Sequence, residues 1–328
     1  MSASIHILCA GSNLKKADLG ISVLASNRLR LFPAATAVAD AGYRLSMGDN
    51  IPADTELVIV GKLIAVDISH RLPSWLRQLR EFAASGGKVA LDYTDHHLAI
   101  PSPQSPFYAE ANHLAHSYIV PSGAMKELMT DSYERPTYIV EDRLEYPVLP
   151  PKSPQHRNGI ALWFGHESNI EFLSKLIDTW PGIKKIKTLM VVSGKDANSL
   201  LTSYPYRQQP TINVQCLEWS PQALVLAARQ ADVALIPSDT SSHKQFASSN
   251  RLVTSLALGL PTLATTLASY REFQDCFTDL SSPQAQQVLA KPEEGISGVK
   301  LFQEKYLDRF TDAAITECWR TTLSSLLS

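Results

Sequence analysis

The sequence predicts an α/β protein of two domains, each a mostly parallel sheet with helices on both faces. Three observations predict it. Short apolar runs of strand character alternate with helical patterns along the chain. Two similar openings, IHILCAGSN at 5 to 13 and IALWFGHESN at 160 to 169, each run a buried strand into a glycine turn followed by a helical pattern. Between the resulting halves lies YPVLPPKSPQHRNG, whose Pro147, Pro150, Pro151 and Pro154 block both helix and sheet.

The elements follow in order. After the first opening come the strand ELVIVGKL at 56 to 63, a helix over 74 to 84, the strand GKVALDY at 87 to 93, and SYIVPS at 117 to 122 ahead of the helix GAMKELM. The second half continues with IKTLMVVSG at 186 to 194, INVQCLEW at 212 to 219, a helix over 221 to 230, and DVALIPS at 232 to 238. Next comes SSNRLVTSLALGLPTLATT, in which Leu252, Val253, Leu256 and Ala257 share a helix face, Ser248 or Ser249 caps its start and Gly259 closes its end. The last segment, from about residue 306, is helical in pattern and has no strand after it. Alternation of this kind collects ligands at the carboxyl ends of the strands.

Composition narrows the function classes. A formal charge of −2 and scattered basic residues give no electrostatic reason to expect nucleic acid. Cys9, Cys216, Cys276 and Cys318 lie far apart, so neither a zinc ribbon nor a disulfide framework is suggested, and a reducing compartment fits. No apolar run has the length of a membrane span or a secretory segment. We expect a cytoplasmic protein, with room for peripheral membrane contact through an interfacial helix.

The stretch HKQFASSNR carries the strongest chemical signal. Lys244 and Arg251 supply cations, and Ser248, Ser249 and Asn250 place side-chain donors and backbone amides at a helix start, which is an anion site. Serines and asparagine also cap helices without binding anything, and on its own the stretch reads equally as cap, helix and stop. Its setting after ADVALIPSD and before PTLATTLASYREF favours the ligand reading.

WFGHESN, LEWSPQALVLAARQADVALIPS and KQFASSNRLVTSLALGLPTLATTLASYREF, in this order, resemble the carboxyl-terminal domain of the GT-B glycosyltransferases, family 4 type. The resemblance implies two Rossmann-like domains with a cleft between them: an acceptor-side domain at 1–155, a nucleotide-sugar domain at 156–305, and a terminal helix at 306–328 crossing back to the first. It implies hexosyl transfer from a nucleoside diphosphate sugar, in the cleft, with no cofactor and no metal required. The acceptor stays open among a saccharide, a lipid-linked, a protein and a small-molecule acceptor. Gly165, His166, Asn169, Lys195, Asp239, Lys244, Ser248, Ser249, Asn250 and Arg251 would then hold the donor. The family places a pair of glutamates around the last helix, and this chain has Phe246 and Thr254 there. That departure keeps two other readings in play: a GT-B enzyme of another reaction, such as an epimerase or hydrolase of nucleotide sugars, and a non-catalytic binding member.

In the first half, DYTDHHL gathers Asp92, Asp95, His96 and His97 at a strand end. Consecutive histidines on extended chain point to opposite sides, which argues against a metal site. Asp95 or His96 suits a general base taking the acceptor's proton, and the alternative is an aspartate capping a turn beside exposed histidines. Gly11 and Ser12 would let a substrate approach the backbone and Arg28 would meet an anionic acceptor, or the glycine only turns the chain and the arginine is solvated.

Overall fold

The computed structural model describes residues 2–11, 14–65, 67–99, 101–152, 158–203 and 212–328, and the side chains of Ser242 and His243 stand outside this description. Two compact units share the chain. The first comprises residues 1–143, 246–248 and 309–328, and the second residues 144–245 and 249–308.

The first unit runs β1 (Ser4–Leu8), α1 (Lys16–Gly20), a π-helical turn (Asn27–Leu31), α2 (Phe32–Asp40), β2 (Arg44–Gly48), β3 (Leu57–Val60), α3 (Ile68–Ala84), β4 (Lys88–Asp92), α4 (Ser105–Leu114), β5 (Ser117–Val120), α5 (Gly123–Tyr133) and β6 (Thr137–Ile139). Its six strands pair in the order β2-β1-β3-β4-β5-β6, each pair parallel. The central strands are buried at every position but one, because helices cover both faces. α3 begins at Ile68 rather than 74, since Ile68 and Leu72 extend the buried stripe of Trp75, Leu76 and Leu79 through Pro73.

The second unit runs β7 (Ile160–Phe164), α6 (Ile170–Thr179), β8 (Thr188–Ser193), α7 (Ala197–Ser203), β9 (Asn213–Glu218), α8 (Pro221–Gln230), β10 (Val233–Ile236), α9 (Ser242–Gln245), α10 (Asn250–Ala257), β11 (Thr262–Ala264), β12 (Thr278–Asp279), α11 (Pro283–Ala290) and α12 (Ile296–Lys305). Its parallel order, β12-β11-β10-β7-β8-β9, reverses direction between β7 and β10. The proline-rich stretch belongs largely here, which moves the division from 155 to 143. The Leu149 and Lys152 amides donate to the carbonyls of Ala257 and Gly259. Gly259 takes φ +76, and a Cβ on it would lie 2.2 Å from the Pro150 carbonyl oxygen, so only glycine lets the connector pass.

The last helix, α13 (Asp312–Leu327), returns to the first unit's core, where Ile315, Trp319, Leu323 and Leu326 pack with Ile5, Ile7, Val38 and Ile59. Beneath Trp319 lies Arg30, 1% exposed, its guanidinium 5.5 Å from the ring centroid. Arg30 forks onto both oxygens of the buried Asp92 at the end of β4, donates to the Val140 carbonyl, and reaches Asp142 at 3.5 Å. Burial works against this charge, but Asp92 and Asp142 hold the guanidinium above its ordinary pKa. Among the described residues no helix is long and apolar enough to cross a membrane.

Removing Arg30 leaves the buried Asp92 carboxylate without its guanidinium and Asp142 without its cation. Arg30→Met should therefore lower unfolding stability by about 3–5 kcal/mol, and Asp92→Leu added to it should recover most of that loss. Urea denaturation of the three proteins reads both effects, and a single variant as stable as the parent would rule out the structural role.

Candidate functional site

In the second unit, the carboxyl ends of β7 and β10 flank the point where strand order reverses, which is where an open parallel sheet binds ligands. Gly165 follows β7 directly. A Cβ there would stand 3.5 Å from Cδ and Nη1 of Arg251 and 3.4 Å from the Trp163 ring, so the glycine leaves room beside the guanidinium. Arg251 stands in the first turn of α10. Its Nη1 is sealed from solvent and has no hydrogen-bond partner among the described residues. Burial depresses its pKa, and Tyr270, itself buried, works in the opposite direction. A guanidinium nitrogen sealed from water without an acceptor costs the fold free energy that an anion would recover.

Other expected donor-side residues fall around the same strand ends. His166 Nδ1 accepts from the Ser168 amide, which puts the proton of the neutral ring on Nε2, a donor on an exposed side chain. Asn169 and Lys244 come together, Nζ donating to Oδ1 at 3.1 Å, with the ammonium 5.7 Å from the Phe172 ring centroid. Asp239 turns a carboxylate oxygen to the Ser241 amide ahead of α9, and Lys195 is exposed after β8. Ser249 caps α10 without a side-chain bond and is buried, and Asn250 opens the helix.

Ser248 departs from this group. Its hydroxyl donates to Asp142 at 2.5 Å, and residues 246–248 belong to the first unit. The two positions where glutamates were expected are also turned inward. Phe246 packs edge-on against His96, with centroids 5.8 Å apart, and Thr254 is fully buried on α10.

In the first unit, strand order reverses between β1 and β3. Gly11 takes φ +129 there and exchanges two hydrogen bonds with Asp49, which fits a turn more than a substrate contact. Ser12 lies outside the described residues. Arg28 is buried and directs Nη1 to the Ser22 carbonyl instead of standing in solvent. Asp95 is paired with Lys62, Nζ to Oδ2 at 2.5 Å, both side chains about a third exposed. Lys62 lay outside the sequence expectations; a lysine directly after the glycine that ends a buried strand was the signal for it. Burial alone would weaken the Lys62 ammonium, and Asp95, Asp142 and Asp92 together more than offset that, so its pKa rises.

The two histidines face different partners. His96 meets Phe246, and His97 stacks on Tyr108 at 3.7 Å, edge-on to Tyr93. Burial pushes His97 down to about 4. Among the described residues no three His, Cys, Asp or Glu side chains come together as metal ligands.

Solved structures similar to this one are GT-B glycosyltransferases, and the α/β architecture matches theirs. The E. coli structure described as trehalose-6-phosphate bound with UDP-2-fluoro glucose aligns with a TM-score of 0.56 and 9% identity over 99% of each chain. An α,α-trehalose-phosphate synthase (UDP-forming) from Burkholderia vietnamiensis aligns at 0.55 and 9% identity over 100% of this chain and 97% of that one. A GtfA/B complex aligns at 0.50 and 13% identity over 83% of this chain, which spans 57% of that longer one. These likenesses are of fold. No protein-family model matches the sequence, and no curated protein matches it.

Two outcomes follow from the buried groups. Arg251→Met deletes a guanidinium whose sealed Nη1 has no partner among the described residues, so unfolding stability should stay level or rise; a loss of about 3 kcal/mol would show that the guanidinium already has its partners. His97, neutral in the folded chain, has a folded pKa near 4 against about 6.5 unfolded, so its contribution is whole above pH 6.5 and lost as pH falls toward 4. That is about 3 kcal/mol in full, and denaturation at pH 7 and pH 4.5 should show a smaller acid loss for His97→Gln than for the parent.

Proposed function

We propose that this chain is a glycosyltransferase that moves a hexosyl group from a nucleoside diphosphate sugar, held by the second unit, to an acceptor held by the first. The observation that carries the reading is the unanswered Arg251 Nη1 beside Gly165 at the strand-order reversal. A site that leaves a cation without an anion and keeps a glycine next to it suits a diphosphate. The similar structures whose descriptions mention UDP or a UDP sugar make a uridine donor the first to try.

The chemistry follows from the groups present. Breaking the bond between sugar and diphosphate leaves negative charge on the phosphate oxygens, and fixed donors stabilise that charge most where water is thin. Arg251, Lys244 and the amides at the start of α10 supply such donors, the last through the positive end of the helix. His166 adds an Nε2 proton. The acceptor hydroxyl must lose its proton as it attacks, and Asp95, paired with Lys62, is the acceptor for it, with His96 next in sequence. This roster needs no metal ion to hold the diphosphate. With glutamates replaced by a packed Phe246 and a buried Thr254, contacts to the donor sugar fall to other residues, and the family 4 likeness is one of layout.

Thermal unfolding with UDP, GDP, ADP and TDP tests the reading directly. A nucleotide at a hundredfold excess over its Kd stabilises by about 2.7 kcal/mol, and silence from all four would remove the donor site. Where one binds, Lys244→Ala and Arg251→Ala should weaken the diphosphate by about tenfold to a hundredfold while leaving the nucleoside nearly untouched. Equal losses for both ligands, read by calorimetry, would place these residues away from the phosphates.

A further inference from the structure

The diphosphate contacts use the strand ends of β7 and β10 and leave that of β8 without a role. There the side chain of Glu167 crosses the chain at Gly194. A Cβ on Gly194 would stand 2.2 Å from Glu167 Oε1 and 2.5 Å from its Cδ, so any side chain at 194 would push this carboxylate out of its place. Oε1 accepts the Asp196 amide at 2.9 Å, and Oε2 has no partner among the described residues. Ordering a glutamate side chain costs rotamer freedom, and a glycine costs backbone freedom. Both costs serve to fix one carboxylate.

That carboxylate lies next to the Arg251 site. The Gly165 amide donates to the Val192 carbonyl at 3.2 Å, and the Ser193 hydroxyl donates to the Gly165 carbonyl at 2.7 Å. The turns that bear Glu167 and Gly194 therefore leave the sheet tied together. Arg251 comes to Gly165 from the helix after β10, and Glu167 is carried across to the end of β8, so the two charges approach from the strands on either side of β7. One end of the crevice offers a cation and the other a carboxylate oxygen without a donor.

We propose that Glu167 selects the donor by its ribose, the carboxylate accepting the 2′- and 3′-hydroxyls; this rests on the glycosyl-transfer reading above, in which the second unit holds the nucleotide. A cis-diol presents two O–H donors side by side, and one carboxylate takes both, through the open Oε2 and the lone pair that Asp196 leaves on Oε1. The same carboxylate repels phosphate, so the diphosphate is kept at Arg251 and the ligand is bound in one direction. Phe246 and Thr254 carry no carboxylate, and Glu167 supplies one from a different strand end. The competing account makes Glu167 a cap for α7, since the Asp196 amide stands just before that helix. A cap uses Oε1 alone and has no bearing on which ligand binds.

Calorimetric titration of the full chain with UDP, GDP and ADP, each beside its 2′,3′-dideoxy form, tests the assignment in the parent, Glu167→Gln and Gly194→Ala. The first variant keeps an acceptor for the Asp196 amide and removes the charge; the second keeps the glutamate and displaces it. The parent should hold the diphosphate it prefers about tenfold to a hundredfold more tightly than the dideoxy form. In each variant that preference should vanish, through weaker binding of the ribose form with the dideoxy form unchanged. A preference kept in Glu167→Gln, or an equal loss for both forms, overturns the assignment and leaves Glu167 a helix cap; should Gly194→Ala not fold, Glu167→Gln decides alone. A parent that binds a diphosphate but ignores its ribose hydroxyls overturns the assignment and keeps the donor site. A parent that binds none of the six ligands removes the donor site itself, so the two failures separate.

Discussion

A parallel strand reaches its neighbour only by crossing over the face of the sheet, and every strand pair in both units is parallel. The crossovers occupy both faces, which is why the strands are apolar on both sides, and the turns out of the strands all gather at one edge. Chemistry is left to that edge. Gly165 and Asp239 in the second unit, and Gly11, Lys62 and Asp95 in the first, all lie within three residues of the end of a strand. Where the order of strands reverses, two such turns diverge and leave a crevice between them.

Arg30 and Arg251 show how differently one residue type can be used within this frame. Arg30 has two carboxylates, a carbonyl and an indole face, so its charge is answered inside the chain and knits α13 to β4. Arg251 has a sealed nitrogen with no partner among the described residues. The first arrangement is complete in the chain alone. The second stays incomplete, and incompleteness at a strand end is a better sign of a ligand than any short run of letters.

Much of the frame was legible in the sequence. The strands at the middle of each sheet are continuous apolar runs and show plainly, as does the helix of α8, capped by the Ser220 hydroxyl at the Ala223 amide. β2 did not, because an edge strand is half exposed and its RLSMG lacks the pattern. The Asn169–Lys244 pairing and the Gly165–Arg251 approach lie within residues grouped on the donor side from the order of motifs. The bond from Ser248 to Asp142 was not legible, because its partner is 106 positions away and nothing local announces it. Lys62 was passed over for a related reason: its meaning depends on Asp95, which adjoins it only once β3 and β4 are paired.

The return of α13 has a consequence for how the chain is made. Trp319, Leu323 and Ile315 complete a core whose other walls, Ile5, Ile7 and Ala34 among them, are laid down near the amino terminus. A ribosome releases those walls first, but they stay uncovered until α13 emerges, long after the second unit has all of its strands. The unit that begins first is thus the last to close. During synthesis the part of that core which α13 covers waits for its partner while a whole neighbouring unit is translated.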